Sequence, residues 1–273
     1  MTNYKFLADE QELRFFWEYG IPTLKPNEVY FVSLSCRNKQ LNEMEREFYK
    51  AGRSEMFAKQ QIRYDDWSVF LQHIKRFEVR QDAYLTKSGK PYPQKSLVIY
   101  WNLANIDAYK AMKDQMNHLA EIMGSLTDAA LKNSQGGLEE GYYKVRKSFD
   151  TAQSLFARNF GHREWIDFDC DAEDITAGQY QSVIDHLNAD FGVGNVMAIK
   201  TAGGIHFLIR KSVVKINPQI VCNYILGRVP QAKEVVRNSN EMLPLPGTWQ
   251  YENHVVTVMN KENFSEKFTL RGK

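Results

Sequence analysis

The stretch Trp165-Ile-Asp-Phe-Asp-Cys170 decides the fold of the central part of the chain. Its apolar residues, interrupted by aspartates two positions apart, are typical of a β-strand. Because successive side chains of a strand point to opposite faces, Asp167 and Asp169 project from one face while Ile166 and Phe168 enter the core on the other. The two carboxylates are then roughly 7 Å apart along the strand. This spacing suits a pair of hard divalent cations.

A second stretch, Lys200-Thr-Ala-Gly-Gly-Ile-His-Phe-Leu-Ile209, indicates a turn with paired glycines that is followed by a strand. The strand covers Ile205–Ile209, so His206 lies at its start. A carboxylate pair on one strand and a histidine that opens another are typical of metal-dependent phosphoryl transfer, provided that the strands are neighbours. We therefore expect the histidine and both aspartates to converge on one open cleft from adjacent strands of a single sheet.

Composition excludes several classes of protein. The 273 residues are 43% hydrophobic, enough for a sizeable core, and 35 basic against 33 acidic residues give a net charge of +2. This balance argues against a histone-like electrostatic binder. Three scattered cysteines without a Cys-x-x-Cys pair predict neither a zinc knuckle nor a disulfide framework. Neither a signal peptide nor an apolar span of about 20 residues is recognisable, so we expect a soluble cytoplasmic protein with no membrane partner.

Strand and helix patterns alternate along the chain without internal repeats, which indicates one compact body of the α/β or α+β class. Apolar and β-branched runs predict strands at Glu28–Ser35, Leu97–Trp101, Val196–Ile199 and His254–Met259. Apolar residues at three- and four-residue spacing predict helices over about 65–80, 105–123, 138–159, 174–191 and 217–227. The helix that begins near residue 105 has Asn105 or Asp107 as its expected N-cap, and its apolar stripe consists of Ile106, Tyr109, Met112, Met116, Leu119 and Ile122.

Three of these elements together resemble motifs of the archaeo-eukaryotic primase superfamily, which includes primase-polymerases of phages and plasmids. Ile166-Asp-Phe-Asp169 is similar to the first motif, hydrophobic-Asp-hydrophobic-Asp. Thr201-Ala-Gly-Gly-Ile-His206 is similar to the second, a small residue and a histidine two apart. Leu243-Pro-Leu-Pro-Gly-Thr248 resembles the Leu-Pro-Gly-Thr element that follows the third motif in replication proteins of phages and plasmids.

The resemblance implies an α+β fold with a primase-like core, in which helices pack on a mixed β-sheet and the catalytic half is RRM-like. One domain would then cover residues 1–273. It would consist of an N-terminal half of the core (1–160), a motif-bearing catalytic half (161–260) and a polar tail (261–273).

The resemblance also implies a metal-dependent nucleotidyltransferase, a DNA-directed primase or polymerase that acts in the replication of a phage or plasmid. Its cofactors would be two Mg²⁺ or Mn²⁺ ions. Its partners would be a single-stranded DNA template, nucleoside triphosphates and a separate helicase or other replisome proteins. Its location would be the cytoplasm of a bacterial or phage-infected cell.

The expected catalytic residues are Asp167, Asp169 and His206, with the two aspartates holding the metals. A third acidic ligand is normally an aspartate in this superfamily, but no aspartate occurs from residue 191 to residue 273. Glu234 is the first candidate to replace it and Glu241 the second. Residues expected at the nucleotide, beside His206, are Lys200, Thr201, Gly203, Gly204, Arg210 and Lys211. Residues expected at the nucleic acid are Arg37, Lys39, Lys87 and Lys90.

Two other functions compete with this interpretation. The missing third aspartate favours a non-catalytic nucleic-acid-binding replication factor on the same fold, and a metal-dependent nuclease is a further alternative. The aspartates also have a purely structural interpretation, since the strand leads into Asp171 and Asp174 and could be a solvated acidic edge. Two aspartates inside an apolar run, however, need a compensating partner.

Overall fold

The computed structural model describes most of the chain. The residues that it describes are 2–37, 41–49, 54–63, 66–86, 88–145, 160–172, 174–237 and 242–258. Helices and antiparallel sheets are both present, so the α+β class is confirmed. No helix in these described ranges is long and apolar enough to cross a membrane.

Seven helices and thirteen strands lie within the described ranges. The helices are α1 (Glu10–Tyr19), α2 (Glu43–Tyr49), α3 (Trp67–Lys75), α4 (Ala108–Leu131), α5 (described over 135–145), α6 (Ala177–Phe191) and α7 (Pro218–Arg228). The strands are β1 (Glu28–Arg37), β2 (Ser54–Ile62), β3 (Leu97–Asn102), β4 (Ala104–Asp107), β5 (Phe160–Arg163), β6 (Trp165–Asp171), β7 (Val196–Thr201), β8 (Gly204–Arg210), β9 (Glu234–Arg237), β10 (Met242–Pro244), β11 (Trp249–Gln250), β12 (Asn253–His254) and β13 (Val256–Thr257).

The first sheet is built around β1, the long strand predicted near the N-terminus. One edge of β1 pairs with β2, and the other pairs first with β3 and then with β4. β10 extends the sheet beyond β3, and β5 extends it beyond β4. The β1 side chains are buried along nearly the whole strand, including the polar Glu28, Ser33 and Ser35 among its apolar residues.

The second sheet carries the motifs and has the strand order β13-β7-β8-β6-β9. From β6 to β9 the chain runs β6-α6-β7-β8-α7-β9, which is the βαββαβ or split βαβ arrangement. The expected mixed sheet is wrong for the described strands, since all their pairings are antiparallel. The reason is that β8 lies between β6 and β7, so the crossover through α6 does not make a parallel pair.

The second sheet has different neighbours on its two faces. Phe168, Phe207 and Ala198 pack on one face against apolar residues of α6 and α7. On the other face, Leu208 and Ile199 share a core with residues of β1 and β3. The face that carries Asp167 and Asp169 is therefore turned toward the first sheet, as the alternation of side chains predicts.

The start of α4 differs from the prediction. Residues 104–107 form β4, so Asn105 is a buried strand residue and its expected capping role is wrong; Asp107 is the N-cap and accepts a hydrogen bond from the Lys110 backbone N–H. The predicted stripe is right for Ile122, which is buried, but wrong for Tyr109, Met112 and Met116, which are exposed by 59–68%. Ala111, which was not part of the stripe, is buried as well. The stripe is wrong at its start because Ile106, its first member, belongs to β4 and not to the helix.

The C-terminal segment 242–258 joins the two sheets. β10 pairs with β3 of the first sheet, while β13 pairs with β7 of the second. Gly247 forms the bend between them with φ of +83°, and its carbonyl accepts hydrogen bonds from Ala8 and Asp9 at the start of α1. The rigid turn with two prolines that the sequence predicts thus docks against the N-terminal helix. The single strand expected over His254–Met259 is split into β12 and β13, and Met259 lies outside the described residues.

Candidate active site between the two sheets

A pocket opens between the two sheets at the C-terminal end of β6. Its first wall belongs to the second sheet and contains Asp169, Asp171, Thr201, Gly203, His206, Glu234 and Val236. Its second wall contains Arg37, Tyr100, Met242, Pro244 and Gln250. The cavity volume is about 180 Å³. Ligand pockets commonly measure roughly 300–1,000 Å³, so a nucleotide would be enclosed only in part.

Asp169 and His206 meet in this pocket as the sequence predicts. They are cross-strand partners in the antiparallel pair of β6 and β8. The Asp169 side chain is 41% exposed, and its Oδ1 lies 3.7 Å from Nε2 of His206. Directly paired side chains of adjacent strands are close enough to act on one ligand. The predicted adjacency of these two strands is therefore present.

Asp167 has a different environment from Asp169 although the two share a face of β6. Its side chain is completely buried, and both of its carboxylate oxygens lie close to Nδ1 of His206, at 3.0 and 3.1 Å. The carboxylate accepts the Nδ1–H of the ring, which leaves Nε2 turned toward Asp169. The expected convergence on one open cleft thus includes Asp169 and His206, whereas Asp167 is buried at the Nδ1 edge of the histidine ring and does not line the pocket.

The first candidate for the third carboxylate lies in the same pocket. Glu234 begins β9 and pairs with Asp171 of β6, and Val236 pairs with Asp169. Since residues two apart share a face, Glu234 lies diagonally opposite Asp169 across adjacent strands. Asp171, which resembled a solvated strand end in the sequence, lines the pocket as well. The second candidate, Glu241, lies outside the described residues.

The opposite wall contributes a cation and a hydroxyl group. The guanidinium of Arg37 lies over the ring of Tyr100, 5.4 Å from its centroid. The Tyr100 hydroxyl is buried and has no hydrogen-bond partner among the described residues. Burial raises the pKa of this hydroxyl to about 12, with smaller effects from Arg37, which lowers it, and Asp169, which raises it. A buried hydroxyl without a partner is costly, so a ligand group in the pocket would stabilise it.

The turn between β7 and β8 closes one end of the pocket. The side-chain oxygen of Gln250 accepts a hydrogen bond from the backbone N–H of Ala202 at 2.8 Å, so β11 holds the turn from the second wall. Close packing, and not contact with a phosphate, accounts for the glycine at position 204. A Cβ at this position would lie 2.1 Å from the carbonyl oxygen of Cys170. Thr201 and Gly203 line the pocket as predicted for nucleotide contacts.

Most of the basic residues predicted near the nucleotide lie elsewhere. Lys200 is exposed and shares the face of Ala198, which packs toward the helices. Arg210 shares the face of His206, as counting by twos predicts, but it lies at the far end of β8. There it is buried, pairs with Glu164 and donates to the Gly194 carbonyl. These positions place Lys200 and Arg210 outside the pocket.

The residues predicted to contact nucleic acid are also dispersed. Of the two that the structure describes, Arg37 lines the pocket and Lys90 does not. Lys90 lies over the Phe48 ring, 3.4 Å from its centroid, and donates to the Phe48 carbonyl. Lys39 and Lys87 lie outside the described residues. Conversely, the sequence did not single out Tyr100 or Gln250, because Tyr100 sits in an apolar run that is typical of a core strand.

The donor atoms suit a hard cation only in part. Asp169, Asp171 and Glu234 offer carboxylate oxygens on one pocket wall, the ligand type that Mg²⁺ and Mn²⁺ prefer. Within the described ranges, however, no group of three or more His, Cys, Asp or Glu side chains is arranged to hold a metal ion. Mg²⁺ is commonly held by one or two carboxylates together with water and substrate phosphates. The residues of the pocket therefore fit an ion whose coordination shell is completed by water and by phosphate groups of the substrate.

Comparison with protein-family models, with curated proteins and with solved structures finds no match for this chain. The chemistry of the site thus has to be argued from its own residues.

Proposed function

We propose that the protein is a metal-dependent nucleotidyltransferase of the primase-polymerase type. The observation that carries the proposal is the cross-strand pairing of Asp169 with His206 at a pocket whose wall also contains Glu234. A metal ligand, a group able to bind phosphate and a further carboxylate thus face one volume, as phosphoryl transfer requires. The βαββαβ arrangement of the second sheet agrees with an RRM-like catalytic half.

The charges in the pocket favour a substrate that arrives with cations. Three carboxylates, those of Asp169, Asp171 and Glu234, face Arg37 and one histidine. A bare triphosphate would be repelled by this wall, because like charges a few ångströms apart are unfavourable. Two Mg²⁺ or Mn²⁺ ions would reverse the sign of the local field, activate the attacking 3′-hydroxyl and neutralise charge on the triphosphate.

The roles of the side chains follow from their positions. Asp169, together with Glu234 or Asp171, would hold metal. His206 would present Nε2 to the triphosphate, while Asp167 fixes the ring through Nδ1. Asp167 would then be a positioning residue, in place of the metal ligand that the resemblance implies. Arg37 would contact the triphosphate or the template from the opposite wall.

The proposal includes the partners that the resemblance implies. A single strand of DNA would serve as template and nucleoside triphosphates as substrates, in the replication of a phage or plasmid in a bacterial cytoplasm. A helicase or other replisome protein would open the duplex.

A nucleic-acid-binding replication factor on the same fold is the second candidate. The observation in its favour is that the described part of the chain assembles no group of three metal ligands. Such a factor would bind a strand and would not need the carboxylates of the pocket.

Incubation with a single-stranded template, labelled nucleotides and Mn²⁺ or Mg²⁺ tests the proposal. We expect template-dependent products from the wild-type protein and a loss on the order of 100-fold or more in Asp169→Asn. Asp128→Asn, an exposed change on α4, is the matched control and should keep full activity. Strand binding without products would support the replication factor, and shortening of the template would indicate a nuclease.

A further inference from the structure

A second groove lies at the opposite end of β6 from the pocket, where β5 passes into β6. It is lined by Lys25, Arg163 and Lys211 among others, and its volume is about 520 Å³, larger than that of the pocket. This volume falls within the roughly 300–1,000 Å³ that is common for binding sites. Lys211, which the sequence assigned to the nucleotide, therefore belongs to this groove and not to the pocket.

The two glutamates of the groove are already engaged by the protein. Glu28 is buried and accepts hydrogen bonds from the backbone N–H groups of Lys25 and His162 and from the Asn105 side chain. Glu164 pairs with the buried Arg210, and one of its oxygens lies 3.0 Å from Nε2 of His162. Glu164 is thus offset by Arg210, whereas Glu28 keeps its negative charge because its three donors are uncharged.

The two lysines of the groove have no carboxylate partner of this kind among the described residues. Lys25 and Lys211 are exposed, and within the described ranges neither of them forms an ion pair. Next to Lys25, Arg63 donates to two backbone carbonyls, those of Pro26 and Glu28, so its charge is not offset by a carboxylate in these contacts. The cations Lys25, Arg163 and Lys211 outnumber the two glutamates of the lining, so the groove is a positive surface.

We propose that this groove binds phosphate groups of the backbone of a single-stranded nucleic acid. Exposed lysines act as point charges that attract phosphates without reading a base, which is typical of backbone contacts. Glu164 and Asp169 are five residues apart on an extended chain, which corresponds to roughly 17 Å. A stacked strand advances about 3.4 Å per nucleotide, so the groove would hold the template about five nucleotides from the pocket. The choice of ligand rests on the proposed function.

Binding of a fluorescein-labelled oligothymidylate, followed by anisotropy with EDTA present, tests the groove without any catalytic step. We expect the double variant Lys25→Ala/Lys211→Ala to bind on the order of tenfold more weakly than the wild type at moderate salt. The slope of log affinity against log salt should decrease by about 1.4, since each lost contact to a single strand removes about 0.7. Lys5→Ala/Lys132→Ala, which removes two exposed lysines far from the groove, should change neither quantity.

Two outcomes overturn the proposal. One is an unchanged affinity and salt slope in the Lys25/Lys211 variant. The other is that this variant loses affinity for free deoxythymidine triphosphate while it keeps its affinity for the oligonucleotide, which would make the groove a nucleotide site. The proposed function can fail while the groove proposal stands. This is the case if the protein incorporates no nucleotides but its binding of the strand depends on Lys25 and Lys211.

Discussion

Both carboxylate oxygens of Asp167 lie within 3.1 Å of Nδ1 of His206, whereas Asp169, on the same face of the same strand, reaches only Nε2 of that ring at 3.7 Å. The two aspartates of one motif thus differ in their environment. Asp167 is fully buried at the Nδ1 edge of the histidine ring, and Asp169 is 41% exposed in the pocket. Different consequences are expected when each is removed.

Asp167→Ala should lower the free energy of unfolding by roughly 1–3 kcal/mol, because it leaves a buried histidine nitrogen without its partner. Asp169→Ala should change it by less than about 1 kcal/mol, since the side chain is partly in solvent. Urea unfolding of the two variants measures the difference. Equal stability of the two would contradict the buried pair. Two aspartates that both faced an open cleft would leave the stability unchanged in either variant, so the burial of Asp167 is what carries this prediction.

Glu234→Gln should reduce nucleotide incorporation roughly 10- to 100-fold, with a higher concentration of Mn²⁺ needed for half-maximal rate, because a neutral amide is a poor metal ligand. Titration of the metal in the primer assay gives both quantities. Glu47→Gln, an exposed change on α2, should leave them as they are. Unchanged metal dependence in Glu234→Gln would remove this residue from the site.

Tyr100→Phe should leave the free energy of unfolding unchanged or raise it by about 1 kcal/mol, because the buried hydroxyl has no partner in the described structure. Tyr4→Phe is the contrast, since the Tyr4 hydroxyl donates to the Gln81 and Tyr92 carbonyls and its loss should destabilise the fold. If the Tyr100 hydroxyl contacts the substrate, the KM of Tyr100→Phe for nucleotide rises roughly tenfold. An unchanged KM would limit Tyr100 to packing.

Gly204→Ala should destabilise the protein strongly, by about 3 kcal/mol or more, because the new methyl group would collide with the Cys170 carbonyl across the strand pair. Gly178→Ala is the matched control. Its Cβ meets nothing within 4 Å, and helix α6 should gain roughly 0.5–1 kcal/mol. Thermal unfolding compares the two, and a stable Gly204→Ala variant would show that the β6–β8 register differs.

The three cysteines should be inert in the native protein. All are buried, and burial raises the pKa of Cys170 to about 12, with further contributions from Asp169 and Asp171. Only the thiolate reacts, and at pH 8 a raised pKa leaves less thiolate in the native state than in the unfolded state. A thiol-reactive chromophore should therefore label no cysteine at pH 8 before denaturant is added and three afterwards. Rapid labelling of the native protein would contradict the burial.

The first wall of the pocket could be predicted from the sequence because it depends on local rules. Alternation along β6 places Asp167 and Asp169 on one face, and a short turn between β7 and β8 fixes His206 near the start of its strand. These patterns extend over only a few residues each. The position of Glu234 followed from the order of the elements and not from any long-range contact.

The second wall could not be predicted in this way. Tyr100 and Pro244 are neighbours on adjacent strands although they are far apart in the chain, and both face a sheet that begins between them in sequence. The periodicity of apolar residues within a single strand or helix does not predict how two sheets pack against each other. The predicted nucleotide contact of Arg210 is wrong for a similar reason. Its side chain lies on the expected face of β8, but it pairs with Glu164 at the end of the strand away from the pocket.

The start of α4 shows a conflict between two periods. Ile106 fits a helical stripe with Tyr109, yet it is also an apolar residue that can pair with Val29 in a sheet. The pairing with β1 buries Ile106 completely, and the helix begins only after Asp107. Burial in the sheet therefore outweighed the helical pattern, as tertiary contacts often do.

The segment 242–258 has a consequence for the order in which the protein can mature. It supplies Met242, Pro244 and Gln250 to the pocket and adds an edge strand to each sheet. On the ribosome, the acidic wall can fold as a βαββαβ unit before this segment emerges. β10 and its partner strand β3 are separated by about 140 residues in the sequence, and pairings between such distant segments form slowly. Until segment 242–258 has emerged, the carboxylates of the nascent chain therefore face a pocket that lacks Met242, Pro244 and Gln250.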